Sequence, residues 1–428
     1  MRYMKDVFEE HLDEATWLWG RWERALLAPD HDLSELAELE VRLLAHLEGL
    51  AEGGEEVAAA LLHPGLDSEE DWRASVVAYA LLVKAVPEGV LALVRGASLA
   101  QRPAVRRALE LCDQSRLGNV LQPLLSSDDL DVTATALEVL VARNDIEDFQ
   151  LVPFLTSDDS RVRIAAMKGI RNLSDSTPRK ALTHALVSAH PDIRDAAIEW
   201  GLAMGVRDAW AACQKAVEKG DDHAHEPMVL WALGSEETEL ALLLSLLHVP
   251  ERRMEALWAL GFSGRLAAAD ACLEWMEDSN LKVARLAGEA FCAISGLRLE
   301  GTYVVPPKEA LEEPIPLNQE DLDADFVPRP EDELPVPDVE AVARWWHATR
   351  ANLDGRTRYL RGQPFQAGVL LEALEQGPLR RRHVLARALD LRTRRRLFIP
   401  TRAWTRIQYT ALTQAKAAAL PLGRLEWR

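Results

Sequence analysis

The chain has 428 residues, of which 48% are hydrophobic, and a formal net charge of -19; this suits a folded chain of two or three domains or one long repeat array. No apolar run approaches a membrane span, and the opening MRYMKDVFEEHLDEATWLWG is too acidic and interrupted for a secretory signal, so a cytoplasmic location is expected. Residues 341–428 carry 18 Lys/Arg against 5 Asp/Glu, whereas residues 299–340 carry 2 against 13 and the first 298 residues hold a balance of -21, a field that repels a nucleic-acid backbone.

Residues 1–60 are expected to form an N-terminal helical cap. Trp17, Trp19 and Trp22 cluster in TWLWGRWERALL, and SELAELEVRLLAHLEGL has helical periodicity up to Gly53-Gly54. Such tryptophans can anchor a partner, but closing the exposed end of a repeat core is the favoured role.

Residues 61–298 repeat. TSDDSRVRIAAMKGI (156–170) is echoed by SSDDLDVTATALEVL thirty residues earlier, and each copy places apolar residues at i, i+3, i+4, i+7 and i+8 of a helix. Further copies are HPDIRDAAIEWG and DSNLKVARLAGEAF, while HAHEPMVLWALG and ERRMEALWALG share the ending LWALG. Aligning them gives anchors at Trp72, Val105, Val132, Val162, Ile193, His225, Arg252 and Val283, a period near thirty, with the outer turns at His225 and Arg252 left open. Units of that length, with Ala and Gly inside, must stack to bury their stripes. The expected fold is therefore all-α: a solenoid of about eight helical-hairpin repeats.

Residues 299–338 form an acidic, Pro-rich linker, expected to be extended and able to lie against an Arg-rich neighbour. Residues 339–428 are expected to form a small, mainly helical C-terminal domain: Asp338 caps VEAVARWWHATRANL, RTRYLRGQPF is irregular or extended, QAGVLLEALEQ and PLRRRHVLARALDL pair, and a last helix runs from about Arg402 to Ala419. The triplets Arg380-Arg381-Arg382 and Arg394-Arg395-Arg396 could hold phosphate, but with few interleaved aromatics and an acidic linker adjacent, self-neutralisation is the stronger reading.

Chemistry is sparse. Cys112, Cys213, Cys272 and Cys292 lack CxxC spacing and suit reduced core positions. His223, His225 and Glu226 form HAHE without HExxH spacing, and Pro227 makes a loop between repeats the better reading. No phosphate-binding glycine loop, nucleophile elbow or dinucleotide fingerprint occurs, so no catalytic residue, cofactor or metal is assigned. Asp128-Asp129 and Asp158-Asp159 recur at equivalent repeat positions, which suits helix capping better than a single reaction centre. Partner contacts are expected at the acidic repeat turns: Asp128, Asp129, Asp131, Asp158, Asp159, Asp192, Asp221 and Asp222.

DDSRVRIAAMKG and its copies resemble HEAT repeats over about residues 61–298. Together with LPVPDVEAVARWWHATRANLDGRTRYLRGQPF and RRRHVLARALDL, the chain looks like a bacterial family often encoded beside type VI secretion effectors. That resemblance implies a cytoplasmic partner of a secreted toxin with a basic surface. The expected role is an immunity protein neutralising a toxin, for which a nuclease's basic cleft would be an electrostatic match. An effector adaptor or chaperone is the alternative, and a HEAT-like enzyme such as a DNA glycosylase or bilin lyase is a third.

Overall fold

The computed structural model describes residues 2–70, 72–171, 176–220, 225–306, 329–418 and 421–422. The fold is an all-α, solenoid-like array, and no described helix is long and apolar enough to cross a membrane. The chain divides into two compact units, one of Met1–Leu27, His31–Lys215 and Leu374–Arg428, the other of Ala28–Asp30 and Ala216–Ala373. The expected C-terminal domain is thus shared between the units, with the division falling after Ala373.

The first unit opens with helices Arg2–Ala25 and Leu33–Glu52 packed on each other. Asp32 starts the second of these through a capping box with Glu35, satisfying backbone donors that have no partner inside the helix. Trp19 and Trp22 are fully buried, whereas Trp17 is half exposed. The buried pair meets Tyr79 of a repeat helix and Trp404 of the tail, with ring centroids 4.8–6.2 Å apart, so this end of the core is closed by aromatics.

The second helices of successive hairpins in this unit are Arg73–Val83, Arg102–Leu111, Leu130–Arg143, Ser160–Gly169 and Pro191–Ala203, each packed on the next. Val105, Val132, Val162 and Ile193 are buried on them, in the register that the period predicts. Trp72 departs from that register. It sits just before its helix with φ 70°, its indole over Gly20, and Val76 one turn later fills the core position.

The first helices of two hairpins are shortened by proline. Leu117–Leu121 and Asp148–Leu151 each pass into a 3-10 turn, Gln122–Ser126 and Val152–Thr156, at Pro123 and Pro153. Proline has no N–H for the i→i−4 bond, so the α-helix cannot continue through it.

In the second unit, His225–Gly234, Arg253–Leu260 and Leu281–Ser295 stack in the same way. His225 and Arg252 lie at polar helix starts, and Met228 and Ala256 take the buried positions one turn on. Asp338 caps Val339–Arg350, as expected, by accepting from the Ala341 N–H. Trp346 of that helix packs edge-on against Phe291 and donates Nε1–H to Asp270 at 2.7 Å. The stretch expected to be irregular or extended is a small hairpin, Tyr359–Leu360 with Gln363–Pro364, turning at Arg361 and Gly362 with φ 52° and 76°. Two positive φ values are what a tight two-residue hairpin turn demands.

Candidate functional site: an acidic edge and a tail-bound edge

The acidic turns sit at the N-terminal ends of the second helices. Asp129 accepts from the Asp131 and Val132 N–H groups, and Asp159 accepts from the Val162 N–H, so both cap their helices, where a carboxylate also meets the positive end of the helix dipole. Asp129 further pairs with Arg102 of the preceding hairpin at 3.0 Å, and Asp131 with Arg161 of the following one at 3.2 Å. Burial alone would raise the Asp129 pKa, but the Val132 N–H, Arg102 and the Asp131 N–H hold it below the usual carboxylate range.

Asp128, Asp158 and Asp192 are exposed along this edge. The structure therefore separates the expected contact residues by role. Asp129 and Asp159 cap their helices, and Asp129 and Asp131 also tie neighbouring hairpins together, while Asp128, Asp158 and Asp192 are exposed, as is Asp129; Asp221 and Asp222 lie outside the described residues.

The opposite, C-terminal ends of the same helices hold the tail. After helix Leu379–Arg392 the backbone turns through Arg394 and Arg395, both with positive φ, at 51° and 57°. Two consecutive left-handed residues other than glycine cost about 1–2 kcal/mol each. The turn aims the Arg395 guanidinium at the end of Ser160–Gly169, where Nη1 donates to Met167 O, Lys168 O and Ile170 O at 2.9, 3.0 and 2.6 Å. Those carbonyls lie where a helix runs out of N–H partners, and a cation there also meets the negative end of the dipole. Further along the tail, Trp404 donates Nε1–H to Leu111 O at 2.9 Å.

Next to this contact, Glu40 is 4% exposed. It accepts from Trp22 Nε1 at 2.9 Å and from the Thr405 N–H and hydroxyl at 2.8 and 2.6 Å. It thus caps the last tail helix, Thr405–Ala418, from outside that helix. Burial pushes the Glu40 pKa up, against the lowering by those hydrogen bonds.

The second unit repeats the device within itself. Arg358 donates to Leu233 O, Ser263 O and Ser235 O, and the Arg361 and Gly362 N–H groups donate to Ala293 O and Ile294 O at 2.8 and 2.9 Å. Gly296 makes that approach feasible. Its φ is 80°, and a Cβ there would lie 2.5 Å from Arg361 O.

Between the tail helix Leu379–Arg392 and the repeat helices of the first unit lies a cleft of about 410 Å³, lined by Arg106, Glu138, Lys168, Glu199, Arg387 and Asp390 among others. Most of its charges face a partner already. Arg387 pairs with Glu199 at 2.9 Å, Arg395 with Asp390 at 3.6 Å, and Arg106 with Glu138 at 3.3 Å. Burial would raise the Glu199 pKa, but Arg387 and Arg395 hold it low; burial pushes Asp390 up to about 6 and His383 down to about 4. With its charges so balanced, the cleft floor is a seam binding the tail to the solenoid.

Of the arginine triplets, Arg395 lines this seam, Arg380, Arg381 and Arg382 are buried elsewhere in the tail, and Arg394 and Arg396 are exposed. Arg380, Arg381, Arg382 and Arg395 are all under 9% exposed, and Arg382 donates Nη1–H to Gln408 Oε1 at 2.7 Å. Within the linker, Asp332 pairs with Lys282 at 3.2 Å, but residues 307–328 and His223 lie outside the described residues. Cys112, Cys213 and Cys272 are buried and no disulfide joins any of the four cysteines, with the Cys112 and Cys213 thiols pushed up by burial.

Fold and site together define the class: a helical-hairpin solenoid whose second-helix ends are acidic and solvent-facing on one side and clasped by an arginine-bearing tail on the other. No family model and no curated protein matches the chain. Among solved structures, an engineered protein aligns at 18% identity with a TM-score of 0.30, covering 67% of this chain and 93% of its own. Human deoxyhypusine hydroxylase in complex with glycerol aligns at 15% with a TM-score of 0.21, covering 68% and 98%.

Proposed function

We propose that the chain is a non-catalytic protein-binding scaffold, acting as a cytoplasmic immunity protein that neutralises a type VI secretion toxin with a basic surface. The observation that carries this reading is the placement of Asp128, Asp158 and Asp192. They stand on successive hairpins at one edge, while Arg395 and Arg387 of the cationic tail are held by carbonyls and a carboxylate of the chain itself.

A row of exposed carboxylates on a rigid array attracts a basic protein surface and speeds encounter with it. The same field disfavours a polynucleotide. A toxin whose cleft binds nucleic acid would present Lys and Arg to this edge, and covering them would remove the toxin's hold on its substrate. The test is the activity of a type VI secretion toxin with a basic substrate cleft that binds this chain, measured alone and with the chain in excess. Loss of activity supports immunity; full activity in a confirmed complex refutes it.

A further inference from the structure

Two imidazoles meet on the N-terminal helical pair. His11 belongs to Arg2–Ala25 and His46 to Leu33–Glu52, and the packing of these helices brings their Nδ1 atoms to 3.0 Å. The rings lie edge to face, centroids 5.1 Å apart at 66°, and both are half-buried, which leaves them a route to solvent. Gly49 lies against the His11 ring, where an added Cβ would come within 3.2–3.3 Å of ring atoms.

At 3.0 Å the two nitrogens cannot both carry a proton toward each other. Either one proton is shared, or no proton intervenes and both lone pairs face a common point. Glu10 and Glu14 add negative charge nearby and Arg42 opposes it.

A cation 2.0–2.1 Å from both nitrogens would subtend an N–M–N angle of about 94°, whereas a tetrahedral ion needs nitrogens about 3.3 Å apart. The separation therefore matches adjacent positions of a tetragonal or octahedral ion. We propose that His11 and His46 form an exchangeable site for a divalent transition-metal ion of tetragonal preference, copper(II) being the best match, held through both Nδ1 atoms. Among the described residues no group of three or more protein donors assembles, so solvent completes the coordination.

The test titrates copper(II) chloride into the full chain and reads the paramagnetic resonance spectrum for nitrogen coupling. One equivalent coupled to two imidazole nitrogens is expected. His11→Gln and His46→Gln should each lose one nitrogen and weaken binding by at least about tenfold, while His190→Gln leaves both readouts unchanged. Gly49→Ala, which alters no ligand, should weaken binding by displacing the ring, and it serves if a histidine variant fails to fold. Equal affinity and nitrogen count in wild type, His46→Gln and Gly49→Ala would overturn the assignment.

Discussion

The tail helix Leu379–Arg392 carries two titrating groups whose effects on stability oppose each other, and separating them tests whether the seam is as buried as the structure has it. His383 donates Nε2–H to Leu26 O at 3.1 Å, so in the neutral ring Nδ1 accepts from the Thr401 hydroxyl at 2.8 Å, and burial lowers its pKa from 6.5 to about 4. Between those values the unfolded chain takes the proton and the folded one does not, so stability falls as pH drops from 6.5 to 4. At about 1.36 kcal/mol per pH unit the loss reaches about 3 kcal/mol. Asp390 behaves oppositely. Its pKa is raised from 3.8 to about 6, so the folded state takes the proton first and stability rises by about 3 kcal/mol as pH drops from 6 to 3.8.

In the wild type the two slopes nearly cancel between pH 6 and 4. His383→Gln should expose the Asp390 slope, making the segment more stable at pH 4.5 than at pH 6.5. Asp390→Asn should expose the His383 slope, with the reverse sign. The assay is hydrogen exchange of peptides spanning residues 379–396, read at both pH values after correction for intrinsic rates. Equal pH dependence in the wild type and both variants would refute the burial argument.

Further outcomes follow from the same contacts. Arg395→Ala should destabilise the first unit by about 3–5 kcal/mol in urea unfolding, because it leaves Asp390 and Glu199 buried beside an unfilled helix end. Asp129→Ala and Asp159→Ala should each cost about 1 kcal/mol by loss of a helix cap, whereas Asp128→Lys and Asp158→Lys should leave the thermal midpoint nearly unchanged. Gly296→Ala should lower the midpoint of the second unit, since its φ of 80° and the Arg361 carbonyl both oppose a Cβ.

The stacking of the repeats was legible because burial of one helix face forces a period, and Val105, Val132, Val162 and Ile193 carry it directly. Register was lost at Trp72, His225 and Arg252, where a polar or cap residue occupies the turn that elsewhere holds the apolar anchor. The fate of the arginine triplets was only half legible. The sequence pointed to the acidic linker as their counter-charge, most of which lies outside the described residues, whereas helix-end carbonyls leave no mark in a side-chain pattern, so Met167 O and Ile170 O were not foreseeable partners of Arg395. Asp129 and Asp159 showed their capping role in sequence, while the pairs that Asp129 and Asp131 make with Arg102 and Arg161 required the stacked structure. His11 and His46 lie thirty-five residues apart on two helices, a spacing no metal motif covers.

The most direct test of the proposed function is survival of cells that express a type VI secretion toxin shown to bind this chain, with the chain supplied in the cytoplasm as wild type or as the triple variant Asp128→Lys, Asp158→Lys, Asp192→Lys. Rescue by the wild type and loss of rescue by a folded triple variant are expected. Death despite wild-type expression and binding, or equal rescue by both, would contradict the proposal.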